Sequence, residues 1–226
     1  MWNSFYLAIA SFIFSIILAI PIGVISATKQ YSAFDSTFTV FALIGISIPS
    51  FFFGLLLIKW MAIDLRLFPV AGMTTTGSNA TGFAYVKDVL YHMFLPFLVL
   101  TLSSVAGIMR FVRTSMLEVI RQDYIRTARA KGLKEKVVIY RHALRNGLIP
   151  VITLLGMSLP SLFGGAIITE TIFAWPGIGK ITMQAISVRD YPLLMGFNCL
   201  LAALTLIGNL IADISYAVVD PRIRYK

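Results

Sequence analysis

Between Arg110 and Gly147 the chain reads RFVRTSMLEVIRQDYIRTARAKGLKEKVVIYRHALRNG. This stretch holds ten of the nineteen Lys and Arg residues, Arg110, Arg113, Arg121, Arg126, Arg129, Lys131, Lys134, Lys136, Arg141 and Arg145, against three acids. Such a run can pair with a partner's acids or with anionic lipid, and a lipid-facing loop would need no particular residue order. The order here is specific. Asp123 is placed to cap a helix that carries Tyr124, Ile125 and Ala128 on one side, and Gly132 falls where a helix ends on a left-handed residue. A second helical run, Lys134 to Leu144, follows at once. Ala128 is flanked by Arg126, Thr127 and Arg129 and followed by Ala130, Lys131, Gly132 and Leu133. The small residues are expected to expose a smooth helix surface, the charges to pair with a partner, and the glycine to set the angle between helices. Two short helices joined at a glycine make a docking element over about residues 114–147.

What carries this element is a hydrophobic chain. Of 226 residues 58% are hydrophobic and the mean hydropathy is +0.85, above the roughly half-apolar usage of soluble domains. Five stretches without Lys, Arg, Asp or Glu reach the roughly 20 residues that cross the hydrocarbon as a helix: Phe5 to Ala27, Phe38 to Ile58, Val89 to Met109, Leu148 to Thr169 and Leu193 to Ala212. Continuous apolar runs read as helices and not as a barrel. The expected fold is therefore an all-α polytopic membrane protein with a single membrane domain over 1–226. Its net charge of +9 would suggest nucleic acid in a soluble chain. Fourteen Lys and Arg fall on one side of the five spans and five on the other, so the positive-inside rule accounts for the charge without nucleic acid. That rule puts the basic stretch and the C-terminus in the cytoplasm and Met1 outside. With no basic segment before the first span to drive it across, a preceding helix is expected to be absent from this chain, and a signal peptide is not indicated.

Along the spans, polar and helix-breaking residues mark candidate sites. Pro49 frees a backbone carbonyl, which either lines a path or marks an ordinary packed kink. Arg110 and Arg113 lie one turn apart and are expected to anchor the interface. Asn209 and Asp213 share a helix face about three turns from Asn198, and contact between helices or a substrate path would use them. Pro49, Ser158 and Asn198 are the residues expected along a path. The run Glu170 to Lys180 (ETIFAWPGIGK) reads as a compact external turn. His92 and His142 sit at opposite ends and share no metal, and Cys199, the sole cysteine, has no partner within the chain.

The run Gln122 to Pro150 (QDYIRTARAKGLKEKVVIYRHALRNGLIP) closely resembles the cytoplasmic coupling loop of permease subunits of binding-protein-dependent ABC importers, in the dipeptide, oligopeptide and nickel branch. ETIFAWPGIG from Glu170, RDYP from Arg189 and DPR from Asp220 resemble further signatures of that branch. The general motif begins Glu-Ala-Ala where this chain has Arg126, Thr127, Ala128, and its later Leu-Pro is Leu144, Arg145 here. The resemblance implies that the loop, with Asp123, Tyr124, Arg126, Thr127, Ala128, Arg129, Ala130, Lys131, Gly132 and Leu133, docks on a cytoplasmic ATPase. It implies a second permease subunit, two ATPase subunits and an external solute-binding protein as partners, and six spans in such relatives. No phosphate-binding loop and no nucleophile with a base occur, so no catalytic residue, metal or bound cofactor is expected, with ATP and Mg held by partner subunits. The alternatives are a non-transporting or degenerate permease and, against the scarcity of mid-span ionisable groups, a secondary transporter or channel.

Overall fold

The computed structural model describes residues 2–158, 162 and 166–219, apart from the side chains of 211–213 and 215–219. Among the described residues every regular element is a helix. In chain order these are α1 (Trp2–Thr28), α2 (Ala33–Ser47), α3 (Ser50–Leu57, running on as the π-helical Ile58–Asp64), α4 (Phe83–Ile120) and α5 (Asp123–Ala130). Next comes α6 (135–147), made of Glu135–Val137, a π-helical Val138–Ala143 and Leu144–Gly147. The last four are α7 (Ile149–Ser158), α8 (Ile167–Ile172), α9 (Ile178–Val188) and α10 (Tyr191–Val219).

Three helices are long and apolar enough to cross a membrane as single rods: α1, α4 and the Tyr191–Leu210 part of α10. The expected second span is instead interrupted: α2 and α3 are apolar enough to cross only when taken together, and they are sharply bent at the break between them. Pro49 stands at φ −58°, ψ 131° as the residue before α3, and Phe53 N–H donates to its carbonyl at 3.0 Å, so a new helix starts there. This exceeds an ordinary kink, because an extended ψ at proline ends the ladder outright. The described helix of the fourth stretch is Ile149–Ser158, too short to cross alone. Pro160, Gly164 and Gly165 of that stretch, the side chain of Asp213 and the tail from Asp220 onward lie outside the described residues.

The chain forms two compact units, Met1–Phe14 with Ile48–Ser103 and Pro160–Leu206, and Ser15–Ser47 with Ser104–Leu159 and Ile207–Lys226. In the first, Leu57, Ile58, Ala62, Leu95, Val99 and Phe173 make the core, with Phe68 stacked on Phe94 at its edge. Gly54 admits the Phe173 ring, whose Cε2 would lie 3.3 Å from an added Cβ. The second unit has a longer core, from Ala19 and Val24 of α1 through Met109, Val112 and Met116 of α4 to Ile125, Val138 and Val151. Small residues do more here than apolar area, since lipid competes as well as any side chain for apolar surface. At Gly23 an added Cβ would meet the Met109 carbonyl and Val112 Cβ at 2.8 Å, so only glycine lets α1 and α4 approach this closely.

Candidate functional site

The basic stretch folds in the second unit as α5, an elbow and α6. Asp123 is not the cap: Gln122 precedes the helix in extended conformation without a side-chain capping bond, and Asp123 is the first helical residue, where its charge suits the helix N-terminus. Ile125 (0% exposed) and Ala128 (7%) fill the core with Val138, Ile139 and Ala143 of α6. The smooth outer surface expected of Ala128 is therefore corrected, because three-to-four residue spacing puts it beside Ile125 on the inner face. Burying Ile125 is worth about 1.5–3 kcal/mol, and this packing holds the hairpin to the helices. What α5 shows outward is Asp123, Arg126, Thr127 and Ala130.

At the elbow Gly132 has φ +74° and donates its N–H to Arg129 O at 2.9 Å, the left-handed stop expected of it. Arg129 then reaches over the elbow to Glu135, Nη2 to Oε1 at 2.7 Å and Nε to Oε2 at 3.1 Å. Those hydrogen bonds hold the Glu135 carboxyl below its ordinary range and raise Arg129. Leu133, Val137 and Tyr140 are exposed beside it. Tyr124, also exposed, accepts a hydrogen bond from Asn146 Nδ2 at 3.0 Å. At the base Ser115 of α4 donates to the Gly147 carbonyl at 2.7 Å, closing the hairpin where it leaves the helices.

A polar node braces that base. Asp35, buried at the start of α2, accepts from Arg113 Nε at 2.7 Å and Nη2 at 2.9 Å, from Tyr31 N–H at 2.9 Å and from the Ser26 hydroxyl. Arg113 is thus the bidentate partner of a buried carboxylate, a contact that the anchoring expectation did not include. Sequence reasoning missed Asp35. The available signal was an acid in the turn after the first span, at the same membrane edge as Arg113.

Pro49 and Asn198 belong to the first unit and Ser158 to the second. Ser158 donates to Leu154 O at 2.9 Å, while Asn198 is exposed on α10. A cavity of about 380 Å³ lies between α9 and α10, lined by Ile178, Ile181, Thr182, Ala185, Phe197 and Leu200 among others, and Asn198 is not in its wall. Helix α9, read from sequence only as far as an external turn, begins at that turn. Glu170 (1% exposed) accepts the Gly179 N–H at 2.7 Å, and Ser4 Oγ of α1 accepts the Ile178 N–H at 2.7 Å. Trp175 Nε1 donates to Asn3 O at 3.1 Å and Asn3 Nδ2 to Pro176 O at 2.9 Å. The turn is a hydrogen-bonded clasp on the first helix. His92 pairs with Asp88 at 3.3 Å, and no group of three His, Cys, Asp or Glu suited to a metal occurs among the described residues.

A family model described as "Binding-protein-dependent transport system inner membrane component" matches residues 19–225. The oligopeptide transport system permease protein AppB of Bacillus subtilis is 45% identical over 99% of this chain and 69% of its own length. The dipeptide transport system permease protein DppB of Escherichia coli is 42% identical over 97% of this chain and 70% of its own. A putative peptide permease protein of Brucella suis is 44% identical over 93% of this chain and 65% of its own, so the chain spans about two thirds of these relatives. Among solved structures, a chain of the MetNI methionine ABC transporter in an inward-facing conformation superposes with TM-score 0.73 at 18% identity, covering 97% of this chain and 94% of that one. A chain of an amino acid ABC transporter follows at TM-score 0.63 and 13% identity, covering 99% and 92%. At such identities the likeness is one of fold.

Proposed function

The chain belongs to the inner membrane components of binding-protein-dependent transport systems and is a multi-pass permease subunit, and from that premise we propose that it forms part of an ATP-driven importer of peptides. Its relatives named for oligopeptides and dipeptides support the cargo. The observation that carries the coupling role is the hairpin: its apolar residues Ile125 and Ala128 are spent on the chain's own core, yet Tyr124, Leu133, Val137 and Tyr140 stay exposed among cations. Exposed aromatic side chains beside arginines support a protein contact.

The hairpin docks on a cytoplasmic ATPase subunit, with the C-terminus on the same side. A second permease subunit, a second ATPase and an external binding protein complete the importer. This chain hydrolyses nothing; ATP and Mg belong to the ATPases. Because α5 and α6 share a core with α1 and α4, and Ser115 ties α4 to Gly147, a push on the hairpin moves those helices and not a loose loop. Turning a 1:99 population of states to 99:1 takes about 5.5 kcal/mol of differential ATPase affinity. Pro49, Ser158 and Asn198 are the side of this proposal that concerns the path.

The test is uptake of a labelled tripeptide by proteoliposomes carrying the whole importer. Gly132→Pro cannot adopt φ +74°, so it is expected to leave membrane insertion intact while ATP hydrolysis proceeds without uptake. Normal uptake by that variant at normal membrane level would overturn the coupling role.

A further inference from the structure

Of the hairpin's cations, Arg129 alone is tied across the elbow. Arg126 makes only a 3.6 Å contact with Asp123 on its own helix, and Arg121, Lys131, Lys134, Lys136, Arg141 and Arg145 form no ion pair among the described residues. At 100° per residue, Ile125 and Ala128 define the inner face of α5, Asp123, Arg126, Thr127 and Ala130 the outer one, and Arg129 the edge facing α6. Its fork closes on Glu135 through both oxygens. Between them Gly132 is a soft joint, with nothing within 4 Å of where a Cβ would stand. Among the described residues no side chain packs against the glycine from that direction, so beyond the Ile125 core the elbow has only the ion pair to brace it.

We propose that Arg129 and Glu135 are positioning residues: their pair fixes the elbow so that the outer stripe Asp123, Arg126, Thr127 and Ala130 meets the ATPase at one angle, and neither residue touches the partner. This inference rests on the docking reading above. Magnitude favours it over a role in holding the fold. An ion pair with side chains 39% and 61% exposed adds little to stability, and the Ile125 core holds the hairpin regardless. The same small term is enough to bias a glycine hinge several-fold, and a two-point contact restricts direction where a single one does not.

The experiment measures recruitment of the importer's ATPase subunits to proteoliposomes that carry the full chain with its second permease subunit, with inserted protein quantified alongside. Arg129→Glu and Glu135→Arg are each expected to weaken recruitment about fivefold, and the double exchange to restore it to within about twofold of the original, as for one coupled pair. If the exchange fails to restore recruitment, Arg129 meets the partner directly and the inference is overturned; normal recruitment by both single variants overturns it too. Where charge reversal reduces insertion, Arg129→Gln and Glu135→Gln serve: losses that do not add in the double variant support the pair, and additive losses reject it. Ala130→Trp, on the outer stripe, is the control for the underlying reading. Blocked recruitment keeps that reading whatever becomes of the pair, whereas normal recruitment sinks the docking site itself.

Discussion

Two glycine-bearing bends in this protein need glycine for opposite reasons. At the elbow of the basic hairpin, Gly132 is required by its dihedral: φ is +74°, and among the described residues nothing lies within 4 Å of where a Cβ would stand. At the start of α9, Gly177 and Gly179 are required by space. Gly177 has an ordinary negative φ of −112°, but an added Cβ would collide with Glu170 and Ser4 oxygens, and one on Gly179 would come within 2.5 Å of Ile167 Cα. The hairpin is a joint braced by an exposed ion pair. The clasp is a packed turn in which a buried carboxylate accepts backbone N–H groups. At the first the glycine itself is unpacked, although Ile125 still joins the two helices; at the second the turn cannot move without stranding Glu170.

Substitutions should separate the two kinds of bend, and the largest effect belongs to the packed one. Gly179→Ala is expected to destabilise by about 3 kcal/mol, because the clash is with backbone that cannot swing away. The readout is thermal unfolding followed by fluorescence of Trp175, which is buried in the same turn. Glu170→Gln should cost about 2 kcal/mol in the same assay, by weakening charge-assisted bonds to the Gly179 and Ala166 N–H groups at 2.7 and 3.4 Å. Gly132→Ala should cost only about 1 kcal/mol, from the left-handed dihedral, and Gly132→Asn less, since asparagine tolerates that region. A Gly132→Ala cost equal to that of Gly179→Ala would erase the contrast.

The smallest effect concerns pH. Arg129 holds the Glu135 carboxyl below its ordinary value of about 4.3. A depressed carboxylate contributes fully above the unfolded value and loses that contribution as pH falls through the folded one. The brace should therefore weaken only as pH falls below the ordinary carboxylate range, by under about 1 kcal/mol given its exposure, and Glu135→Gln should abolish the pH dependence. Spin labels at Lys131 and Lys136 would read it as a broadened distance distribution in acid. A brace indifferent to acid would mean that core packing alone sets the elbow.

Much of the hairpin was legible in one dimension. Gly132 as a left-handed stop, the break into two helices and the density of charge are local properties, set by dihedral preference and residue type. Which charge does what was not local. Arg129 and Glu135 meet because the elbow folds them together, and Arg113 and Asp35 meet from 78 positions apart. The interior side of α5 was misjudged at Ala128: the sequence already places it on one side with Ile125, but only the position of α6 tells that this side is inside.

Composition and hydropathy alone determined that this chain is helical and membrane-embedded, because hydrocarbon leaves a continuous apolar run no other way to satisfy its backbone. Charge distribution alone singled out the basic stretch, and residue order within it marked the two helices and their elbow. Only the tertiary structure decided that the second apolar stretch is broken at Pro49, that Glu170 caps a helix beginning eight residues later, and that two arginines serve carboxylates of this same chain. Those outcomes depend on which groups come within hydrogen-bond reach of one another, and a distance of 3 Å between residues remote in sequence is a property of packing that no local pattern encodes.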